Sequence, residues 1–361
     1  MAIVLRDIYD RKNNYFDDLR FILAALVVFY HSYALIKEPR HDFITMMVLG
    51  QSSLGEMAVY AFFTISGFFM IQSLENSKSV LRYFRNRLYR IIPAFWFSLI
   101  FFSLLIIPLF SKVSLYGEDG IITFILKAGS FHIFDYSWTI KGAFPDNTFV
   151  DNINGSMWTL KHELAAYIML PIFYALSYKN RSSMLLFTII LFIFSLLSYS
   201  EIFLFNLPVG EFWVLSENEY GSFVRFLYCF MTGGCFYLYK DKILLGSSKL
   251  DLRWFLFLSL LLVLSFYGGK GKYMLFIWVP YIIILSGCIF KYKFFSKFGD
   301  YSYGIYIYSF PIQQLVLLKD SSISALGLFF TSMFFTSMFF TLLVSIISYH
   351  FLEKPILNLK R

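Results

Sequence analysis

Arg20 and His31 lie in the first apolar segment of the chain, RFILAALVVFYH, with ten residues between them. The rest of that segment is hydrophobic, so two ionisable side chains are costly there and indicate a function. In a helix, eleven steps make about three turns, which places both side chains on one face about 16 Å apart along the axis. A cation at one membrane surface and an imidazole deeper in the same helix suggest a path of approach through the bilayer.

Another ionisable group, Glu163, lies in the apolar stretch NGSMWTLKHELAAYIMLP. If the first helix runs outward and this one runs inward, His31 and Glu163 lie at similar depth in the outer half of the membrane. A buried imidazole near a carboxylate is the arrangement of a general base whose acid partner orients or charges the ring. A polar pair that only fixes helix packing is the structural alternative.

A basic motif, SKSVLRYFRNRLYRIIPAFW, precedes the third apolar run and contains Arg82, Arg85, Arg87 and Arg90. Arg87 and Arg90 are three residues apart and would share a helical face. Arginine forks suit phosphate groups. From charge alone, however, membrane topology or lipid phosphate is the favoured explanation of the motif. We expect a loop here, with Pro93 in the first turn of the next helix.

Other polar residues interrupt the apolar runs. Ser66 and Gly67 in AFFTISGFFM allow close helix approach, or a bend that lets backbone line a cavity. Tyr303 and Tyr308 in YSYGIYIYSFP either line a polar route or form hydrogen bonds between helices. Arg225, at the outer end of the sixth apolar run, either binds an anionic substrate or extends its charge to the membrane surface.

The composition is that of a polytopic membrane protein. Of 361 residues, 58% are hydrophobic and only 15% are charged, and the mean hydropathy is +0.65. A soluble domain has about 25% charged residues. The net charge of +8 does not indicate nucleic acid binding, because the cations lie in short segments between apolar runs. The three cysteines lie in apolar runs and predict no disulfide, and no ligand spacing predicts a metal site.

We predict an all-α protein with about ten transmembrane helices, each of suitable length. The spans are 19–36, 56–74, 92–110, 156–178, 183–200, 221–239, 254–269, 273–290, 301–318 and 323–350. Most Lys and Arg residues fall in the terminal segments and in the connections on their side, so both termini are predicted to be cytoplasmic. The largest external segment is 111–155.

The chain resembles the acyltransferase-3 membrane acyltransferases, which acylate cell-surface glycans and other acceptors in bacteria. The resemblance runs almost end to end and predicts one stand-alone domain over 1–361. It is carried by six segments in order, namely FDDLRFILAALVVFYH, FFTISGF, RNRLYRIIPAFW, SMWTLKHE, YSYGIYIYSFPI and FLEKPILNLK. One departure is Ser309, where the family often has a histidine or a second aromatic residue. That difference weakens a catalytic role for the ninth span.

The resemblance implies an acyl-CoA donor, most often acetyl-CoA, that arrives from the cytoplasm. On this basis Arg87 and Arg90 are expected to bind the phosphates of the coenzyme. Arg20 is expected to contact the donor or its pantetheine arm. No metal is expected.

The same resemblance assigns the chemistry to His31, which would deprotonate an acceptor hydroxyl on a sugar, with Glu163 orienting or charge-balancing the ring. Ser66, Gly67, Trp158, Tyr303 and Tyr308 are expected to line the substrate path. The expected partners are acyl-CoA, a glycan or lipid-linked sugar, and membrane lipids. The expected location is the bacterial cytoplasmic membrane. The oligomeric state, the acceptor and the acyl length stay open.

Two other classes of function fit a chain of this kind. A transporter or flippase of lipid-linked saccharides also uses many spans and buried polar residues. It gives no reason, however, for the basic motif beside the second span. A non-catalytic membrane subunit would tolerate substitution of Arg20 and His31.

Overall fold

The computed structural model describes residues 4–36, 42–77, 79–131, 138–176, 180–199, 220–243, 252–319 and 326–359. These residues are almost entirely helical, and within them the one β contact is an isolated bridge between Thr139 and Asn152. The all-α prediction is confirmed.

Fourteen helices are numbered here in chain order within the described residues. They are α1 Leu5–Ile8, α2 Phe16–Ala34, α3 Phe43–Met47, α4 Leu54–Asn76, α5 Val80–Phe110, α6 Ile121–Gly129, α7 Trp158–Leu176, α8 Arg181–Leu197, α9 Tyr220–Leu238, α10 Leu252–Tyr267, α11 Gly271–Ile289, α12 Ser302–Lys319, α13 Leu326–Ser348 and α14 Lys354–Asn358. A π-helical turn, Tyr349–Glu353, joins α13 to α14.

Each of the ten predicted spans overlaps a helix, and residues 177–178, 200 and 323–325 of three of them lie outside the described ranges. Within the described part of the chain, four helical stretches are individually long and apolar enough to cross a membrane, and they are Leu54–Asn76, Val80–Phe110, Gly271–Ile289 and Ser332–Asn358. The chain is therefore a helical membrane protein. Ten spans and cytoplasmic termini stay predictions.

The third predicted span is wrong at its start. Instead of a loop, the basic motif forms the first three turns of α5, which begins at Val80. Pro93 therefore lies in the helix interior and not in a first turn. Arginine and leucine favour helix, and their propensity outweighs the charge that suggested a loop. Near its other end α5 loosens into a π-helical turn, Phe101–Ile106.

The chain forms two compact units, and the first contains Met1–Leu23, Phe43–Tyr83 and His162–Phe298. Its centre is the crossing of α4 with α9. A Cβ atom on Gly67 would lie 1.7 Å from the carbonyl oxygen of Phe230, and one on Gly233 would lie 1.9 Å from that of Thr64. Only glycine fits at such distances, so the predicted close helix approach at Ser66–Gly67 is confirmed.

The N-terminal arm of the first unit packs against the ends of α4 and α9. Arg6 forms an ion pair with Asp241 at 3.2 Å, and the Tyr9 hydroxyl lies 3.1 Å from the Gln72 side-chain oxygen. Burial raises the pKa of Tyr9 to about 12, so the hydroxyl stays neutral and donates this hydrogen bond. The helix ends that meet here are those predicted to share the cytoplasmic side.

The second unit contains Ala24–Asp42, Phe84–Lys161 and Gly299–Arg361. Within it α12 packs along α13, and polar contacts join α12 to the start of α7 and to the segment before it. The Asn154 amide donates to the Ile307 carbonyl oxygen at 2.7 Å, and the hydroxyls of Thr159 and Tyr306 lie 2.6 Å apart. The predicted external segment 111–155 includes α6, and residues 132–137 of it lie outside the described ranges.

Candidate functional site

Arg20 and His31 lie on one uninterrupted helix, because α2 runs from Phe16 to Ala34 without a break. The helical prediction for this segment is confirmed, and with it the three turns between the two residues. Asp18 anchors the start of α2 in the first unit. Its carboxylate accepts hydrogen bonds from three consecutive backbone amides, those of residues 294–296.

Arg20 is partly neutralised within its own helix. Its guanidinium lies 3.0 Å from the Asp17 carboxylate, and it also sits over the Phe69 ring, 5.0 Å from the centroid. An ion pair at i, i+3 and a cation–π contact hold the planar group in one orientation. Arg20 is therefore a positioned cation near the start of α2.

His31 lies in the second unit with its ring edge against Phe310, at a centroid distance of 5.4 Å. Its Nδ1 is buried and accepts or donates no hydrogen bond within the described part of the chain. Buried polar atoms normally have a partner, and an exception calls for an explanation such as a substrate. The unpartnered Nδ1 keeps His31 a candidate site residue.

Gln313 of α12 fixes the turn of α2 that carries His31. Its side-chain nitrogen donates to the Val28 carbonyl oxygen at 2.8 Å and to the Ser32 hydroxyl at 3.1 Å. Sequence reasoning missed this residue. The signal in the sequence was the pair of adjacent amides, Gln313 and Gln314, among the apolar residues that follow Pro311. In the structure both side chains are fully buried.

Glu163, in the first unit, receives two hydroxyl hydrogen bonds on one carboxylate oxygen. The Tyr167 hydroxyl donates to Oε1 from one turn further along α7, and the Ser66 hydroxyl donates to the same atom at 3.4 Å from α4. The structure therefore brings Ser66 and Glu163 together. Tyr167 was missed, although its i+4 spacing from Glu163 was the signal that could have found it.

Arg90 forms an ion pair with Asp300 within the second unit. Asp300 also accepts a hydrogen bond from the Ser302 hydroxyl. This partner was missed, because 210 residues separate the two charges in sequence. The ion pair fixes the Arg90 guanidinium beside the start of α12. Arg87 is half-buried and lies one turn earlier on α5.

The two candidate tyrosines of α12 form hydrogen bonds to neighbouring helices. The Tyr303 hydroxyl donates to the Ile91 carbonyl oxygen at 3.0 Å, and the Tyr308 hydroxyl lies 2.6 Å from that of Ser348. These contacts favour the interhelical alternative over a polar route. Trp158 is half-buried at the first position of α7.

The predicted site residues divide between the units. The first unit holds Arg20, Ser66, Gly67 and Glu163, and the second holds His31, Arg87, Arg90, Trp158, Tyr303 and Tyr308. The pairing of His31 with Glu163 therefore stays a prediction. Among the described residues, no group of three His, Cys, Asp or Glu side chains could hold a metal.

Comparison with known proteins gives a family match across nearly the whole chain. Residues 13–350 match the acyltransferase-3 family, described as an acyltransferase domain. An O-acetyl transferase of Shigella phage Sf6 is 28% identical, with 96% of this chain and 97% of the phage protein covered. Acyltransferase MdmB of Streptomyces mycarofaciens is 27% identical over 43% of this chain and 38% of its own. No solved structure matches.

Proposed function

The chain belongs to the acyltransferase-3 family and is an acyltransferase, and from this premise we propose that it is a membrane-embedded O-acetyltransferase. It moves the acetyl group of cytoplasmic acetyl-CoA to a hydroxyl of a cell-surface or lipid-linked glycan, in the bacterial cytoplasmic membrane. The observation that carries this proposal is the likeness to the phage O-acetyl transferase, which covers 96% of the chain.

The donor binds through arginines. Coenzyme A is anionic, and arginine binds phosphate oxygens bidentately. We assign Arg87 and Arg90 to the coenzyme phosphates and Arg20 to the donor or its pantetheine arm. Support comes from the fixed positions of two of these groups, since Asp300 holds Arg90 and Asp17 holds Arg20.

Acetyl transfer proceeds by attack of an acceptor hydroxyl on the thioester carbonyl carbon. His31 removes the hydroxyl proton as the C–O bond forms. The C–S bond then breaks, and the proton passes to the coenzyme thiolate, so the products are the acetyl ester and free coenzyme A. The unpartnered Nδ1 of His31 supports this role within the described structure. General base assistance is worth about 10²–10⁴ in rate.

Glu163 orients or charge-balances the imidazolium that forms on His31. The hydroxyls of Tyr167 and Ser66 donate hydrogen bonds to this carboxylate. The carboxylate therefore has a fixed position, which supports the orienting role. Ser66 and Trp158 line the substrate path. Gly67 was expected there too, but it packs against the Phe230 carbonyl oxygen at the crossing of α4 with α9 and so shapes the path only through that crossing. Tyr303 and Tyr308 do not contact the substrate in this proposal. Their interhelical hydrogen bonds hold in place the helices that line the path.

The experiment that tests this function measures acetyl transfer and coenzyme release together. Purified protein in lipid nanodiscs receives acetyl-labelled acetyl-CoA and a panel of bacterial glycans, and both label on the glycan and free thiol are counted. We expect one thiol released per labelled glycan. Movement of a lipid-linked saccharide across proteoliposomes without consumption of acetyl-CoA would instead identify a transporter.

A further inference from the structure

Two cations converge on one tyrosine ring at the end of the first unit that the topology predicts to face outward. The Arg225 guanidinium lies over the Tyr199 ring at 4.7 Å from the centroid, and the Lys272 ammonium lies over the same ring at 4.4 Å. Tyr199 follows α8, while Arg225 and Lys272 lie in the first two turns of α9 and α11. Three helix ends therefore contribute to one positively charged cluster.

Among the described residues, the hydrogen-bond partners of Arg225 are hydroxyl groups and not carboxylates. Its two terminal nitrogens donate to the Ser198 hydroxyl at 3.1 Å and to the Ser222 hydroxyl at 3.0 Å. Its Nε is buried and has no hydrogen-bond partner among the residues described. A guanidinium held in this way keeps its full positive charge and one unused donor.

The carboxylate of Glu56, on α4 in the same unit, is already engaged. One oxygen accepts from the Tyr60 hydroxyl at 2.6 Å and the other from the Ser52 hydroxyl at 2.7 Å. The Tyr60 hydroxyl in turn lies 3.2 Å from that of Tyr199. Within the described ranges, no carboxylate forms an ion pair with Arg225 or Lys272, so among those residues the two cations are candidates for binding an external anion.

We propose that Arg225, Lys272 and Tyr199 form a binding site for an anionic oxygen group, a phosphate or a carboxylate, on the acceptor. The two cations supply the charge, and the Arg225 fork supplies the direction of the hydrogen bonds. The role as acceptor site rests on the proposed function. Anion binding itself does not, because it requires no acetyl transfer.

A binding experiment without catalysis tests the site. The purified protein in nanodiscs is titrated with inorganic pyrophosphate, with glucuronate and with neutral glucose, and dissociation constants are measured by calorimetry. Wild type binds pyrophosphate or glucuronate and not glucose, and the stronger of the two identifies the acceptor group. Arg225→Gln and Lys272→Gln each weaken that binding by about tenfold or more.

Lys270→Gln is the matched control, because it removes the same charge two residues away. Lys270 is exposed and lies over the Tyr273 ring at 5.8 Å, not over Tyr199. The affinity of the Lys270→Gln variant for the anion should stay within about twofold of that of wild type. If Arg225→Gln fails to fold, Lys272→Gln alone decides, since within the described residues the Lys272 ammonium lies only over the faces of two tyrosine rings.

Equal weakening in all three variants, or no anion binding by wild type, overturns the site. Failure of the anion site and failure of the proposed function give different results. A wild-type protein that acetylates a glycan yet binds neither anion refutes the site and keeps the function. A protein that binds anions through Arg225 but never transfers acetyl keeps the site and refutes the function.

Discussion

The hydroxyl of Tyr167 donates a hydrogen bond to Oε1 of Glu163, one helical turn earlier on α7. The same oxygen accepts the Ser66 hydroxyl from α4. A carboxylate held from two helices has a fixed position, which suits an acid that orients or charge-balances a catalytic ring.

Glu163→Gln should lower the rate of acetyl transfer by about a hundredfold, because it removes the charge that would balance a protonated His31. Tyr167→Phe removes only one of the two hydroxyl donors and should cost about tenfold. Initial rates with saturating acetyl-CoA measure both effects. Equal full activity in the two variants would remove Glu163 from the mechanism.

Arg87→Gln should raise the KM for acetyl-CoA by about tenfold or more, since hydrogen bonds from a charged group to phosphate are lost. S-acetylpantetheine, which lacks those phosphates, should show no such change. Arg82 is exposed on the same helix, so Arg82→Gln is the matched control and should leave both KM values as they are. An equal KM increase for both donors would place Arg87 elsewhere than at the phosphates.

Gly67→Ala should destabilise the protein by about 1–3 kcal/mol or more in free energy of unfolding, because the new Cβ would meet the Phe230 carbonyl oxygen at 1.7 Å. Thermal unfolding in detergent measures the loss. Gly268→Ala is the control, since a Cβ there meets only ordinary contacts beyond 3.5 Å, the nearest at 3.6 Å. A Gly67→Ala protein as stable as the control would refute the close crossing of α4 and α9.

Gln313→Met should lower kcat by about tenfold and leave the KM for acetyl-CoA unchanged. The substitution keeps the volume of the side chain but removes the donor to Val28 and Ser32, so the turn that carries His31 loses its anchor. Steady-state kinetics, with melting temperature as a second readout, tests this positioning role. A lower melting temperature with kcat intact would make Gln313 purely structural.

The helices and their order were predictable because long apolar runs have few alternatives in a membrane. The close approach at Gly67 was predictable as well, since small residues in apolar helices permit backbone contact. The start of α5 was not. Four arginines before Pro93 suggested a loop. The helix instead extends through the arginines and the proline, with the first two arginines exposed and the last two half-buried.

The partners of the candidate residues were harder to predict than the residues themselves. Asp300 lies 210 residues from Arg90, and Gln313 lies 281 residues from Ser32. Nothing local in the sequence joins such pairs, because tertiary packing alone brings them together. Tyr167 differs, since its spacing from Glu163 is that of neighbours on a helix.

The most direct test of the account compares wild type with His31→Ala for transfer of labelled acetyl from acetyl-CoA to a glycan. The account predicts a drop of about 10²–10⁴, to undetectable transfer in most assays, because the general base is lost. The variant should still insert in the membrane and keep the wild-type KD for coenzyme A. Acetyl transfer at the wild-type rate by His31→Ala would contradict the account.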